Sequence, residues 1–219
     1  MKSVLNILIV IHVIAGALAL IFGALAITFK NKTPRHKKVG KLYFWCMTII
    51  FITSVFLSVV KGLLFLFFIA IFTYYATLIA YRTLKLKELH LNQKPTIFDW
   101  IVEYIALSVF VGLLLFAIWY FFKTQSSQAV IPLSFGLMGL LGVLKNIKQL
   151  KQQPKEKLYW LKKHIGNMLG SYIGAITAFL VNQGEYIPVN PILLWLGPTA
   201  ILVPLIFVEL KKVKTIPIN

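Results

Sequence analysis

Seven long apolar segments, separated by short polar connections, constrain this chain more than any other feature of its sequence. A helix needs about 20 apolar residues to cross the ~30 Å hydrocarbon layer of a bilayer. Such spans lie at roughly 5–28, 42–60, 63–82, 97–122, 129–145, 161–181 and 190–209. Hydrophobic residues make up 59% of the sequence and charged residues only 13%, which is not the balance of a soluble domain. The sequence predicts a single all-α domain over residues 1–219, an integral membrane bundle of seven transmembrane helices.

The positive charges predict how this bundle is oriented. Of the 23 Lys and Arg residues, all but Lys2, Lys61 and Lys123 fall in the first, third and fifth connections or in the tail. Connections rich in Lys and Arg stay on the cytoplasmic side of a membrane. We therefore expect the N-terminus outside and the C-terminus in the cytoplasm.

The net charge of +17 does not indicate nucleic acid here, because the basic residues flank hydrophobic spans. An anionic leaflet attracts each nearby Lys or Arg by about 1 kcal/mol. We expect membrane lipids with anionic headgroups on the cytoplasmic side to be the partners, held by the runs 30–41 and 145–163. Docking of an anionic substrate or protein to these runs stays open, and the sequence does not indicate an oligomeric state.

Several chemistries are excluded by missing residues. The single cysteine, Cys46, allows neither an intramolecular disulfide nor a cysteine metal cluster. The sequence contains no Gly-rich phosphate loop, no GxSxG elbow and no CxxCH site. The seventh span has no lysine in its interior, which excludes a retinal Schiff base in the place known for seven-helix opsins. No nucleophile with a neighbouring base is visible, so the sequence gives little indication of an enzyme, although one that acts on a lipid or a quinone stays open.

Small and polar residues predict which helix faces point into the bundle. Gly166, Gly170 and Gly174 follow a GxxxGxxxG spacing, which is typical of close helix contacts and predicts a central sixth helix. His12 shares a face with small residues of the first span and is expected to point inward. The polar side chains predicted inside the membrane are His12, Asn167, Ser171 and Tyr172.

Ionisable residues inside a membrane are functional candidates by default. Glu103 lies about 9 Å into the fourth helix and needs a partner, a proton or water. Asp99 lies one turn earlier, where a capping box with Thr96 offers a structural explanation. His36 belongs to an inner connection and His164 opens the sixth helix, so we predict an inner cluster of His36, Asp99, Glu103 and His164.

Such a cluster suits three chemistries: binding of Zn or another transition metal, ligation of haem through two imidazoles, and proton relay. His12 stands apart, because its depth differs from that of His164 by roughly 15 Å and one metal cannot bind both. No HExxH motif and no pair of histidines at i and i+4 is present. A structural interpretation, in which His164 and His12 are hydrogen-bonding residues of helix packing, stays open.

Three segments carry a family resemblance: 12–16 in the first span, 35–43 leading into the second, and 164–181 in the sixth. Together they resemble an uncharacterised family of bacterial polytopic membrane proteins, the domain of unknown function 2306. The resemblance implies a multi-pass protein of the bacterial cytoplasmic (inner) membrane. It implies no activity and assigns no functional residue.

These observations lead to three functional hypotheses. The first is a redox or metal-binding protein whose His36, Glu103 and His164 line an inner site for haem b or a transition metal. The second is a small-solute or proton-coupled transporter, because spans one to three and five to seven suggest the three-one-three arrangement of SWEET-type sugar carriers. The third is a structural or assembly subunit of a membrane complex, which needs no site.

Overall fold

The computed structural model describes the chain from residue 2 to residue 214, and the side chains of residues 3–213. This part of the chain forms α1 (Lys2–Thr28), α2 (Thr33–Val60), α3 (Leu64–Thr83), α4 (Ile97–Thr124), α5 (Val130–Gln152), α6 (Tyr159–Asn182) and α7 (Pro191–Lys214). Each of the seven helices is long and apolar enough to span a membrane. The prediction of an all-α bundle of seven transmembrane helices is confirmed. The side chains of Lys2 and Lys214, which the orientation prediction uses, lie outside the described residues, as does the tail 215–219.

The helices differ from the predicted spans mainly at two basic ends. α2 begins at Thr33 instead of residue 42, and α5 continues to Gln152 instead of residue 145. The added segments are rich in Lys, Arg and Gln, which are good helix formers, and Pro34 suits the first turn of a helix. Hydropathy ends a predicted span where apolar residues stop, whereas a helix can continue into the headgroup region. His36, predicted to lie in a connection, consequently lies in α2.

We call the end of the bundle that carries segments 30–41, 82–94 and 145–163 the basic end. It contains the connections from α1 to α2, from α3 to α4 and from α5 to α6. A short 3-10 turn over Leu89–Leu91 places His90 in the second of these connections. Leu89 packs in a buried cluster with Leu86, Leu150 and Tyr159, and the Tyr159 hydroxyl donates to the Leu86 carbonyl oxygen. These contacts fix the α3–α4 connection against α5 and α6.

α3 and α6 are the central helices. α3 packs against α2, α4 and α6, and α6 packs against α1, α3 and α7. The prediction that the sixth helix is central is therefore confirmed. α1 lies along α2, but α5 lies along α4 and makes at most a marginal approach to α6 within the described residues. The two groups of three helices therefore pack differently, which removes the repeat argument for the transporter hypothesis.

The GxxxGxxxG motif of α6 does not make the uniformly close contacts that its spacing predicts. A Cβ atom added to Gly166 or Gly170 meets no atom within 4 Å, whereas one added to Gly174 lies 3.0 Å from the Thr73 side chain. Space therefore remains beside two of the three glycines.

Close helix contacts depend on glycines outside this motif. A Cβ atom on Gly23 of α1 would lie 2.4 Å from the Tyr172 ring of α6. One on Gly139 of α5 would lie 2.5 Å from the ring of Phe110, a fully buried residue of α4. Aromatic rings thus pack directly on the bare backbone of these two helices.

Candidate functional site

Two histidines from different helices meet at the basic end. His36 on α2 and His164 on α6 lie edge to face, with ring centroids 6.3 Å apart and ring planes at 79°. His36 Nδ1 donates to the carbonyl oxygen of Ala26, and His164 Nδ1 donates to the carbonyl oxygen of Ala80, each at 3.0 Å. A carbonyl oxygen only accepts hydrogen bonds. In the neutral form of each ring, the proton is therefore on Nδ1 and Nε2 keeps a lone pair.

The spacing of this pair suits a shared metal ion. Metal–imidazole bonds are about 2 Å long and each centroid lies roughly 1 Å behind its nitrogen, so two rings on one ion are about 5–6.5 Å apart. Histidines that bind metals usually donate their other ring N–H to a carbonyl oxygen, a carboxylate or water. Over residues 3–213, no three His, Cys, Asp or Glu side chains form a group that suits a metal ion. The pair therefore offers two protein ligands.

Asp99 is engaged in an ion pair and a helix cap. Its two carboxylate oxygens accept from Arg82 Nε and Nη2, both at 2.9 Å. Oδ2 also accepts from the Thr96 backbone N–H at 2.8 Å and from the Thr96 hydroxyl at 2.7 Å. The capping box predicted for Thr96 and Asp99 is present. Sequence reasoning missed Arg82, although its place in the last turn of α3 puts it at the same end of the bundle.

Glu103 belongs to a separate buried network. Its side chain is 1% exposed, and its Oε2 atom accepts from the Tyr75 hydroxyl at 2.7 Å. The same hydroxyl accepts from Asn146 Nδ2 at 2.6 Å. The network joins α3, α4 and α5. The sequence analysis did not identify Tyr75 or Asn146 as functional candidates. Neither residue is ionisable near neutral pH, and polar residues of this kind are common near the ends of membrane spans.

The structure therefore brings together two of the four residues in the predicted inner cluster. His36 and His164 meet, whereas Asp99 binds Arg82 and Glu103 bonds Tyr75. Lys163 of α6 interacts electrostatically with both carboxylates, although no ion pair within 4 Å joins it to either one in the described part of the chain.

His12 makes a contact between the first two helices. Its Nδ1 atom lies 2.9 Å from Thr53 Oγ1, which itself donates to the carbonyl oxygens of Ile49 and Ile50. The histidine N–H is therefore the donor to the threonine oxygen. This bond ties α1 to α2 and agrees with the structural interpretation of His12.

The other predicted polar residues of α6 are also bonded. The Ser171 hydroxyl lies 2.8 Å from the hydroxyl of Tyr43, and the Tyr172 hydroxyl donates to the carbonyl oxygen of Leu20 at 3.0 Å. These contacts hold α6 against α2 and α1. Asn167 differs, because its amide nitrogen bonds the carbonyl oxygen of Lys163 on its own helix and its Oδ1 atom has no bond among the described residues.

A cavity of about 160 Å³ lies between α3, α5, α6 and α7. Its wall includes Tyr75 of the Glu103 network, Asn167, Thr199 and the two glycines that leave open space, Gly166 and Gly170. None of its lining residues is charged. The cavity occupies the region where α5 does not pack along α6.

Comparison with protein-family models finds no match, and searches of curated proteins and of solved structures find no similar protein. The resemblance to the domain of unknown function 2306 therefore receives no support from a family match. The resemblance implied a multi-pass membrane protein. The structure confirms this part, because it has seven helices that are long and apolar enough to span a membrane.

Proposed function

We propose that this membrane protein binds haem b through His36 and His164 and transfers electrons at the basic end of the bundle. The observation that carries the proposal is the meeting of these two imidazoles, each with Nδ1 bonded to a backbone carbonyl oxygen. Charge asymmetry predicts that this end faces the cytoplasm.

The number of protein ligands favours haem over a bare ion. Zinc sites use three or four protein ligands, and no third His, Cys, Asp or Glu joins the pair within residues 3–213. Haem carries the other ligands of its iron itself, so His36 and His164 would be the ligands that the protein supplies. Bound haem would supply one-electron chemistry. With both imidazoles as its protein ligands, bound haem would favour electron transfer over binding of a substrate.

The surroundings of the pair also support haem. Gly40, one turn beyond His36 on α2, leaves open space, because a Cβ atom there meets nothing within 4 Å. Lys87 interacts electrostatically with His164, and its ammonium lies 4.6 Å from the centre of the Trp160 ring. A lysine at this level provides the positive charge that a haem carboxylate needs.

Absorbance spectroscopy tests the proposal. The full chain is expressed with haem precursors, purified into lipid nanodiscs and reduced with dithionite. We expect a Soret band, the narrow visible bands of six-coordinate low-spin haem, and about one haem per chain. His36→Ala and His164→Ala should each abolish the low-spin spectrum, because each removes one of two axial ligands.

His90→Ala is the matched control, since His90 lies in the α3–α4 connection and bonds the Lys87 carbonyl oxygen. It should leave the spectrum unchanged. Metal analysis of the same samples distinguishes binding of haem from binding of a bare metal ion. A wild-type protein without a Soret band overturns the haem proposal, and an equivalent of metal that both histidine variants lose would replace haem by a bare ion.

A further inference from the structure

The cavity between α3, α5, α6 and α7 has features that the histidine pair does not explain. At about 160 Å³ it is close to the ~150 Å³ apolar cavity that is known to bind benzene. Phe72, Phe135, Met138 and Ile173 line much of it. The size and these side chains fit one ring-sized apolar body.

The wall also carries polar atoms that have no partner. Asn167 uses its amide nitrogen within α6, so its Oδ1 atom remains an acceptor. Thr199 of α7 makes no side-chain hydrogen bond among the described residues, so its hydroxyl remains available. Tyr75 bonds Glu103 and Asn146 but retains one lone pair.

One buried hydroxyl of α6, that of Thr177, has no partner within residues 3–213, although Thr177 is not part of the cavity wall. Thr177 lies on the face of α6 that carries Gly170 and Gly174, at steps of seven and three residues. Its side chain is 3% exposed, yet its Oγ1 atom has no hydrogen-bond partner in the described part of the chain. Threonine in a helix normally bonds a carbonyl oxygen one turn back. A buried hydroxyl without a partner is costly, so this face of α6 carries an unsatisfied polar group close to the cavity in sequence.

We infer that this cavity is a binding site for a neutral, ring-sized amphipathic molecule, such as a phenol, that enters from the bilayer. Neutrality follows from the lining, which contains no charged side chain. The gap between α5 and α6, whose approach is marginal, is the route by which we expect such a molecule to enter. A lipid tail would fill the space but would leave Asn167 and Thr199 without partners. The site is independent of haem binding.

Fluorine NMR of the full chain in nanodiscs tests this inference with two probes of similar size, 4-fluorophenol and fluorobenzene. We expect a saturable shift of 4-fluorophenol that empty nanodiscs do not produce. Gly170→Leu should weaken binding at least tenfold, because its side chain occupies the cavity. Gly16→Leu is the matched control, since Gly16 also has open space around it but does not line the cavity.

Thr199→Val tests the polar part of the site with a substitution of nearly equal volume. It should weaken binding of 4-fluorophenol about three- to tenfold, the value of one hydrogen bond, and leave fluorobenzene binding unchanged. If Gly170→Leu does not fold, Gly166→Leu replaces it, because Gly166 also borders open space.

Three results would overturn the inference. One is the absence of saturable 4-fluorophenol binding to the wild type. Another is unchanged binding in the folded glycine variant. The third is equal affinity of the wild type for both probes, together with unchanged binding of 4-fluorophenol by Thr199→Val. That result would mean that the cavity is a purely apolar space that lipid tails fill.

Discussion

At the residue scale, one hydroxyl group connects three helices. The Tyr75 hydroxyl donates to Glu103 and accepts from Asn146, and both neighbours are less than 10% exposed. Buried polar groups such as these lose free energy when a hydrogen-bond partner is removed. The hydroxyl therefore stabilises two buried polar groups at once.

Tyr75→Phe removes that hydroxyl and leaves Glu103 and Asn146 with one partner fewer. We expect the free energy of unfolding to fall by about 1–3 kcal/mol, as for other buried polar groups that lose a partner. Glu103→Gln should cost less than about 1 kcal/mol, because its amide oxygen still accepts from Tyr75. Reversible unfolding by SDS in mixed micelles measures both variants. Equal stability of Tyr75→Phe and the wild type would show that the network contributes nothing.

The difference between predicted and observed sites has a physical cause. Charge and hydropathy fix the depth of a residue along its helix, and this information sufficed to place His36 and His164 at the same end. They do not fix rotation about the helix axis. The partners of Asp99 and Glu103 depend on that rotation, so Arg82 and Tyr75 emerged only from the structure.

At the element scale, α5 packs closely through Gly136 and Gly139 and leaves space at Gly142. Gly139 lies against the fully buried ring of Phe110, whereas Gly142, three residues later, borders the cavity and has open space. Spacing of small residues predicts a close contact at either position. Whether a glycine makes a close contact depends on the side chains of the neighbouring helix. For the same reason, the GxxxGxxxG motif of α6 predicted more close helix contacts than the structure shows.

Gly139→Ala should destabilise the protein by about 1–3 kcal/mol, because the new methyl group would lie 2.5 Å from Phe110 and the ring cannot move freely in a packed core. Gly142→Ala is the matched control. It should be neutral or stabilising by up to about 1 kcal/mol, since alanine favours the helix and meets no atom. SDS unfolding compares the two. A Gly139→Ala variant as stable as Gly142→Ala would contradict the packing of α4 on α5.

At the scale of the whole molecule, the number of spans followed from hydropathy but the packing order did not. Seven apolar segments became seven helices. The similar order of basic connections in the two groups of three suggested a repeat, yet α1 packs along α2 while α5 packs along α4. Hydropathy does not indicate which helices contact each other. That arrangement depends on the shapes of side chains such as Phe110 and Tyr172.

The orientation of the bundle is the remaining prediction at this scale, and single cysteines test it. In a Cys46→Ser background, Ser127→Cys marks the α4–α5 connection and Lys151→Cys marks the basic end, and both original side chains are exposed. A membrane-impermeant maleimide should label residue 127 in intact spheroplasts and residue 151 only after permeabilisation, because Lys-rich segments stay in the cytoplasm. The reverse pattern would place His36 and His164 on the outer side. Electrons would then be exchanged with partners outside the cell, although the pairing of the two imidazoles would be unaffected.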